Sequence, residues 1–170
     1  MTTPTVIRTI PSLAKLENDV DYFHVHSVTS PQNLREFVAA SLSYMPGWMR
    51  FLYHLRKYFV RLLGTRQTKD HEKTVLRPED LSFTLGDLVA FFTTQAAEEN
   101  KFWLGEARDD MISGHIAFVY EPGLDGMNQF HLITTATYLH WTARIYFIVI
   151  RPFHHLVVYS MARHALSQDK

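Results

Sequence analysis

The sequence predicts an α+β fold in which a curved antiparallel sheet surrounds a long C-terminal helix, with two shorter helices after the first strand. Three observations carry this prediction. The apolar period shifts from about 3.6 residues toward about 2 near Val89. Turn signals at Glu99-Asn100 and at the stretch EPGLDG (121–126) divide the period-two region into short segments. The chain then closes on a long apolar run with helical spacing, which includes FIVIRPFHHLVVYSM (147–161).

The elements follow in order. Residues 1–20 carry Pro4 and Pro11 without a sustained period and read as an extended or loosely held arm. Residues 21–170 then form one domain. DYFHVHSV (21–28), aromatic and β-branched, is the first strand. Ser30-Pro31 reads as an N-cap followed by Pro at the first helical position. Leu34, Phe37, Val38, Leu42 and Met45 recur at helical spacing until Pro46-Gly47 ends the first helix. A second helix runs from Trp48 to Gly64, with Trp48, Leu52, Leu55, Phe59 and Leu62 on one face and Arg50, His54, Lys57 and Arg61 on the other. Residues 65–87 read as a polar loop, with a short strand near Leu81–Leu85. Strands are expected at 89–97, 101–109, 113–121 and 128–141, joined as an antiparallel meander. The last helix spans about Thr142 to Ser167.

Composition narrows the function classes. The chain has 170 residues, enough for one well-buried core, and 46% hydrophobic content. Its 17 basic and 17 acidic residues cancel, which argues against nucleic acid as a partner. Without cysteine it has neither disulfides nor thiolate metal sites, and a cytoplasmic setting is expected. No signal peptide is recognisable. The most apolar stretch, Ala143–Ala162, contains Arg144, Arg151, His154 and His155, so no membrane span is expected.

Motif chemistry is sparse. No P-loop, dinucleotide fingerprint or G-x-S-x-G occurs, and no cofactor is expected. Asp109-Asp110 beside Arg108 reads as a solvated strand end. His24 and His26 share a strand face and could supply two zinc ligands, but no third ligand is indicated, and no metal site is expected. At 100° per residue, Tyr146, Val149, Phe153, Val157, Ser160 and His164 form the inward stripe of the last helix. Arg144, Arg151, His155 and Ala162 fall opposite, and His154 on the flank. Pro152 offers no N–H to Ile148, so a bend or restart is expected there.

The element order resembles the helix-grip architecture of the START-like, or Bet v 1-like (SRPBCC), superfamily. PGWMRFLYHLRKYFVRLLG (46–64), RIYFIVIRPFHHLVVYSM (144–161), LGE (104–106) and HIAF (115–118) look like a bacterial family catalogued as a domain of unknown function. Its members occur alone or behind a Rossmann-like domain. The resemblance covers about residues 20–167. ARDDMISGHIAF departs from the acidic-basic run usual before that His, so no role for His115 is carried over. The resemblance implies a hydrophobic or aromatic small molecule as partner, held between sheet and C-terminal helix.

The expected function is therefore small-molecule binding in that cavity. The expected lining is Trp103, Phe118, Tyr138, His140, Tyr146, Phe153, Ser160 and His164. Two alternatives stay open: a cofactor-independent cyclase, dehydratase or isomerase with a His or Tyr acid/base, and a filled-core interaction protein. A homodimer is left open.

Overall fold

The computed structural model of the chain describes residues 4–18, 20–51, 54 and 75–167. Six strands form one antiparallel sheet: β1 (Tyr22–Ser30), β2 (Leu88–Val89), β3 (Phe92–Glu98), β4 (Phe102–Arg108), β5 (Ile112–Glu121) and β6 (Asn128–Tyr138). Their spatial order is β1-β6-β5-β4-β3-β2. β1 is thus an edge strand that returns beside the last strand, while β3 to β6 form the expected meander. The helices are α1 (Thr5–Thr9), α2 (Pro11–Asn18), α3 (Leu34–Ser43) and α4 (Thr142–Ser167). The long α4 against the curved sheet, with helix between β1 and the meander, is the helix-grip arrangement.

The turns explain the strand limits. Asn100 adopts φ 57°, the left-handed conformation that Asn tolerates, between β3 and β4. Asp125 and Gly126, at φ 59° and 76°, turn the chain from β5 to β6. The second predicted helix survives here as residues 47–51 and His54, with Arg50 and His54 exposed; Lys57 and Arg61 of the basic stripe lie outside the described residues.

Register separates the two sheet faces. Trp103, Phe118, Leu132 and His26 lie side by side across β4, β5, β6 and β1 on the inner face. Phe102, Val119, His131 and Ser27 form the corresponding row on the outer face. The inner core joins Trp103, Phe118, Phe130 and Leu132 to Phe37 and Val38 of α3 and to Val158, Ala162 and Ala165 of α4.

A second core covers the outer face, and it corrects the expectation of a loose N-terminal arm. Ile7 and Leu13, both fully buried, pack with Phe102, Leu104, Ala117, Val119 and Ile133. Burial of that kind stabilises by about 1.5–3 kcal/mol per side chain. The two prolines do not oppose helix here. Pro4 is the cap residue of α1 and Pro11 opens α2, positions where a missing N–H costs nothing.

The start of α3 differs from the expectation as well. Ser30 is the buried last residue of β1, and its hydroxyl accepts from the Gln32 N–H at 3.2 Å. The cap is Asn33: its side chain accepts from the Glu36 N–H at 3.0 Å, while the Glu36 carboxylate accepts from the Asn33 N–H at 2.9 Å. Two residues are needed to turn from strand to helix, which moves the boundary past Pro31. Asn33→Ala is expected to lower stability by about 1 kcal/mol, read as a shifted urea midpoint with an unchanged slope. The same link is fastened at its far side, where Gln32 Nε2 donates to the Ala165 carbonyl at 3.0 Å.

α4 has the predicted bounds but a different orientation, and it continues through Pro152 as one helix. Pro152 is on the exposed side, so the Ile148 carbonyl it leaves without a donor faces water. The buried positions are Thr142, Ala143, Tyr146, Phe147, Val158, Ala162 and Ala165. Val149 and Phe153, expected inward, are 47% and 43% exposed, and Ala162, expected outward, is fully buried. The cause is that α4 is apolar on nearly every side. Periodicity alone does not orient such a helix.

Candidate functional site

The inner face is apolar along β4 to β6 except for the buried Thr134, but not along β1. There Tyr22, His24 and His26 alternate toward α4, as every second residue of a strand must. Because β1 is the sheet edge and curls beside α4, it meets the helix from the flank. That flank presents Phe147, Arg151, His154, His155 and Tyr159.

The result is a seam of flat side chains. Tyr138 meets Phe147 at 5.5 Å between ring centroids, and Phe147 meets Tyr22 at 4.7 Å. Tyr22 lies edge-on to His154 at 5.9 Å, and its hydroxyl is 3.3 Å from His155 Nε2. The His24 and His155 rings stand perpendicular at 4.5 Å. His26 and Tyr159 extend the seam with another edge contact at 5.7 Å. The Arg151 guanidinium sits 5.8 Å from the Tyr22 ring centre, a cation–π distance that gives the seam one positive edge.

Adjacent helical residues point about 100° apart, which had placed His155 in water and His154 along the flank. Both in fact reach β1, because an edge strand beside the helix spans that angle. His154 and His155 are both half-buried.

Three imidazoles of the seam are held below the usual histidine range. Burial, followed by the neighbouring His155 and His24, pushes His154 down to about 4. Burial also lowers His24, with His155, His26 and Arg151 acting the same way, and lowers His26. Tyr22 is raised by burial, opposed by Arg151 and by the Thr134 hydroxyl. Tyr138 is raised by burial and by Asp21. A neutral imidazole carries one donor and one acceptor. His24 Nδ1 is enclosed yet has no hydrogen-bond partner among the described residues, a state that ordinarily costs about 1–3 kcal/mol. Among the described residues, no group of three or more His, Asp or Glu side chains is arranged to hold a metal ion.

The eight residues expected to line a cavity do not converge. Trp103 and Phe118 are fully buried in the inner core, where Phe37 stacks on Phe130 at 4.0 Å and meets Phe118 edge-on at 6.1 Å. Tyr146 packs with Met111 and Ala143, and Tyr138 borders that cluster and the seam. His140 is exposed at the start of α4, where Nδ1 accepts from the Thr142 N–H at 3.4 Å and lies 2.7 Å from its hydroxyl. His164 stacks on Tyr44 at 4.4 Å, Ser160 is half-buried, and Phe153 is turned outward. Sequence reasoning missed Tyr22, Phe147, His154 and His155. The available signal was the alternation Tyr22-x-His24-x-His26, of which the sequence reading considers only His24 and His26, as metal ligands.

The outer face has its own polar chain. Ser27 Oγ lies 2.7 Å from His131 Nδ1, and His131 Nε2 lies 2.7 Å from a Glu121 carboxylate oxygen. The order matches nucleophile, base and orienting acid. The polar atoms of His131, itself 2% exposed, are thereby satisfied on both sides, and no described donor converges on Ser27 to hold an oxyanion. It serves as a structural clamp joining β1, β6 and β5.

A model for a protein family of unknown function, DUF2867, matches residues 16–161. The chain belongs to this family. No curated protein matches it. Among solved structures, this DUF2867 chain resembles the hypothetical protein jhp0584 from Helicobacter pylori, with 10% identity, coverage of 100% of this chain and 99% of that one, and a TM-score of 0.51. That likeness shows the shared fold alone. It also aligns with Ara h 8.0201 at 10% identity over 86% of this chain and 98% of that one, with a TM-score of 0.41. The DUF2867 match spans β1 through most of α4, and so includes both sides of the seam.

Proposed function

We propose that this DUF2867 protein binds a small hydrophobic or aromatic molecule in the grip between β1 and α4. The ligand lies against Tyr22, His24, His154 and His155, with Tyr138 at one end. The observation that carries this reading is the enclosed Nδ1 of His24, without a hydrogen-bond partner among the described residues, within an aromatic seam. Packing alone favours aliphatic side chains at such positions, whereas a ligand with one polar atom would satisfy the nitrogen and stack on the rings.

A cofactor-free acid/base site in the same seam is the second reading, favoured by the contact between Tyr22 and His155. Its weakness is the pKa of His154. At about 4, the ring is protonated in roughly one molecule per thousand at pH 7, and so weak a base gives little general-base catalysis. Binding is the better use of these groups.

Native mass spectrometry of protein purified without added ligand tests the reading. The expected spectrum holds a second population, heavier by one small molecule and lost on denaturation. His24→Phe keeps a flat ring but removes the polar atoms, and should deplete that population about threefold to tenfold. Bare chain alone in both proteins, with no uptake of added N-phenyl-1-naphthylamine, would count against a binding site.

A further inference from the structure

The solvent side of α4 is as apolar as its buried side. Trp141, Ile145, Ile148, Val149, Leu156 and Tyr159 are each between 47% and 75% exposed. Trp141 immediately precedes the helix, and from Ile145 to Tyr159 the spacing keeps the other five on one face, over a length of about 21 Å at the helical rise. Six large side chains exposed to this degree present on the order of 600 Å². That is at or above the largest apolar patch usual for a soluble monomer, about 300–600 Å².

Charge decides what covers this face. No Asp or Glu occurs between Asp125 and Asp169, whereas Arg144, Arg151 and Arg163 are all exposed on α4. On a helical wheel Arg163 falls in line with the stripe and Arg144 and Arg151 along one margin. A second copy laid α4 against α4 would bring these arginines together with no carboxylate from either helix. An anionic lipid surface supplies the missing negative charge and a medium for the apolar side chains. Trp141 and Tyr159 stand at the two ends of the stripe, and both side-chain types favour the water–lipid boundary. By length and composition α4 could cross a bilayer. Its other face, however, is packed on the sheet through Ala143, Phe147, Val158 and Ala162, so it lies along the surface.

We propose that the exposed face of α4 docks this protein onto anionic lipid bilayers. The test is co-flotation of the full chain with vesicles of phosphatidylcholine alone or with about 30% phosphatidylglycerol. Binding is expected to the anionic vesicles, at least about tenfold stronger than to the neutral ones, and to fall in about 0.5 M salt. Ile148→Asp should abolish it. The double variant Arg144→Glu and Arg163→Glu should weaken it by about tenfold or more. These side chains are exposed, so both variants should keep the wild-type unfolding midpoint. The proposal is overturned if wild-type protein stays unbound, if Ile148→Asp floats as well as wild type, or if the stripe instead forms a dimer that Ile148→Asp dissociates without any vesicle binding.

Discussion

Acidification from pH 7 to pH 4.5 is expected to remove about 2.5 kcal/mol of folding stability through His154 alone. In the fold this imidazole is held at about 4, below the usual unfolded value of about 6.5. The unfolded chain therefore binds the extra proton first. Stability from this group is fully present above pH 6.5 and is lost as the pH falls toward 4. The groups facing it explain why no partner rescues the charge: Tyr22 and His24 come from β1, Phe147 and His155 from α4, and none is a carboxylate. His24 and His26 shift in the same direction and steepen the acid limb. Urea unfolding at the two pH values measures the effect, which is large against a typical total of about 5–15 kcal/mol. His154→Phe should flatten the dependence over this window. Equal losses in the two proteins would show that the acid response arises elsewhere.

Trp103→Ala is expected to destabilise by about 3–5 kcal/mol. The indole is fully buried, meets Phe118 at 6.3 Å and Phe92 at 6.4 Å, and donates from Nε1 to the Ser82 carbonyl at 3.1 Å. Truncation leaves a cavity and removes the shorter of two hydrogen bonds to that carbonyl, which also accepts from the Thr94 hydroxyl at 3.4 Å. Gly105 makes the indole's position possible. The two residues share a face of β4, and a Cβ at Gly105 would overlap the Trp103 ring and come within 2.8 Å of Phe92 Cβ. Gly105→Ala should cost about 1–3 kcal/mol by overpacking. Since one ring carries most of both effects, Gly105→Ala should cost less in a Trp103→Phe background. Strict additivity in that double-mutant cycle would contradict the assignment.

The strands β4 to β6 and the span of α4 were legible in the sequence because local chemistry sets their ends, whereas no strand forms near Leu81–Leu85 and the strand expected at 89–97 breaks at Ala90, φ 54°, into β2 and β3. Glu99-Asn100 and EPGLDG turn the chain wherever they occur, and the alternation between them reports a half-buried sheet. The N-terminal helices were not legible, since Pro4 and Pro11 read as breakers unless each is known to stand at a helix start. The facing of α4 was hidden for another reason. Ile145, Ile148, Val149 and Leu156 are as hydrophobic as the residues that pack inward, so no periodic signal distinguishes the buried side. The candidate site was half legible. That His24 and His26 share a face follows from strand alternation. Their meeting with His154 and His155 depends on the curl of an edge strand around a helix more than a hundred residues later, which no local pattern encodes.

The central claim is that a ligand sits between β1 and α4, and the ten histidines provide internal probes of it. Long-range proton–nitrogen spectra of the imidazoles, recorded during titration with N-phenyl-1-naphthylamine, test it most directly. The account predicts that the His24, His154 and His155 signals move together with one saturation curve. His131 and His115, on the outer sheet face, should stay in place. Unmoved inner-face signals at saturating probe, or shifts centred on His131 and His115, would contradict it.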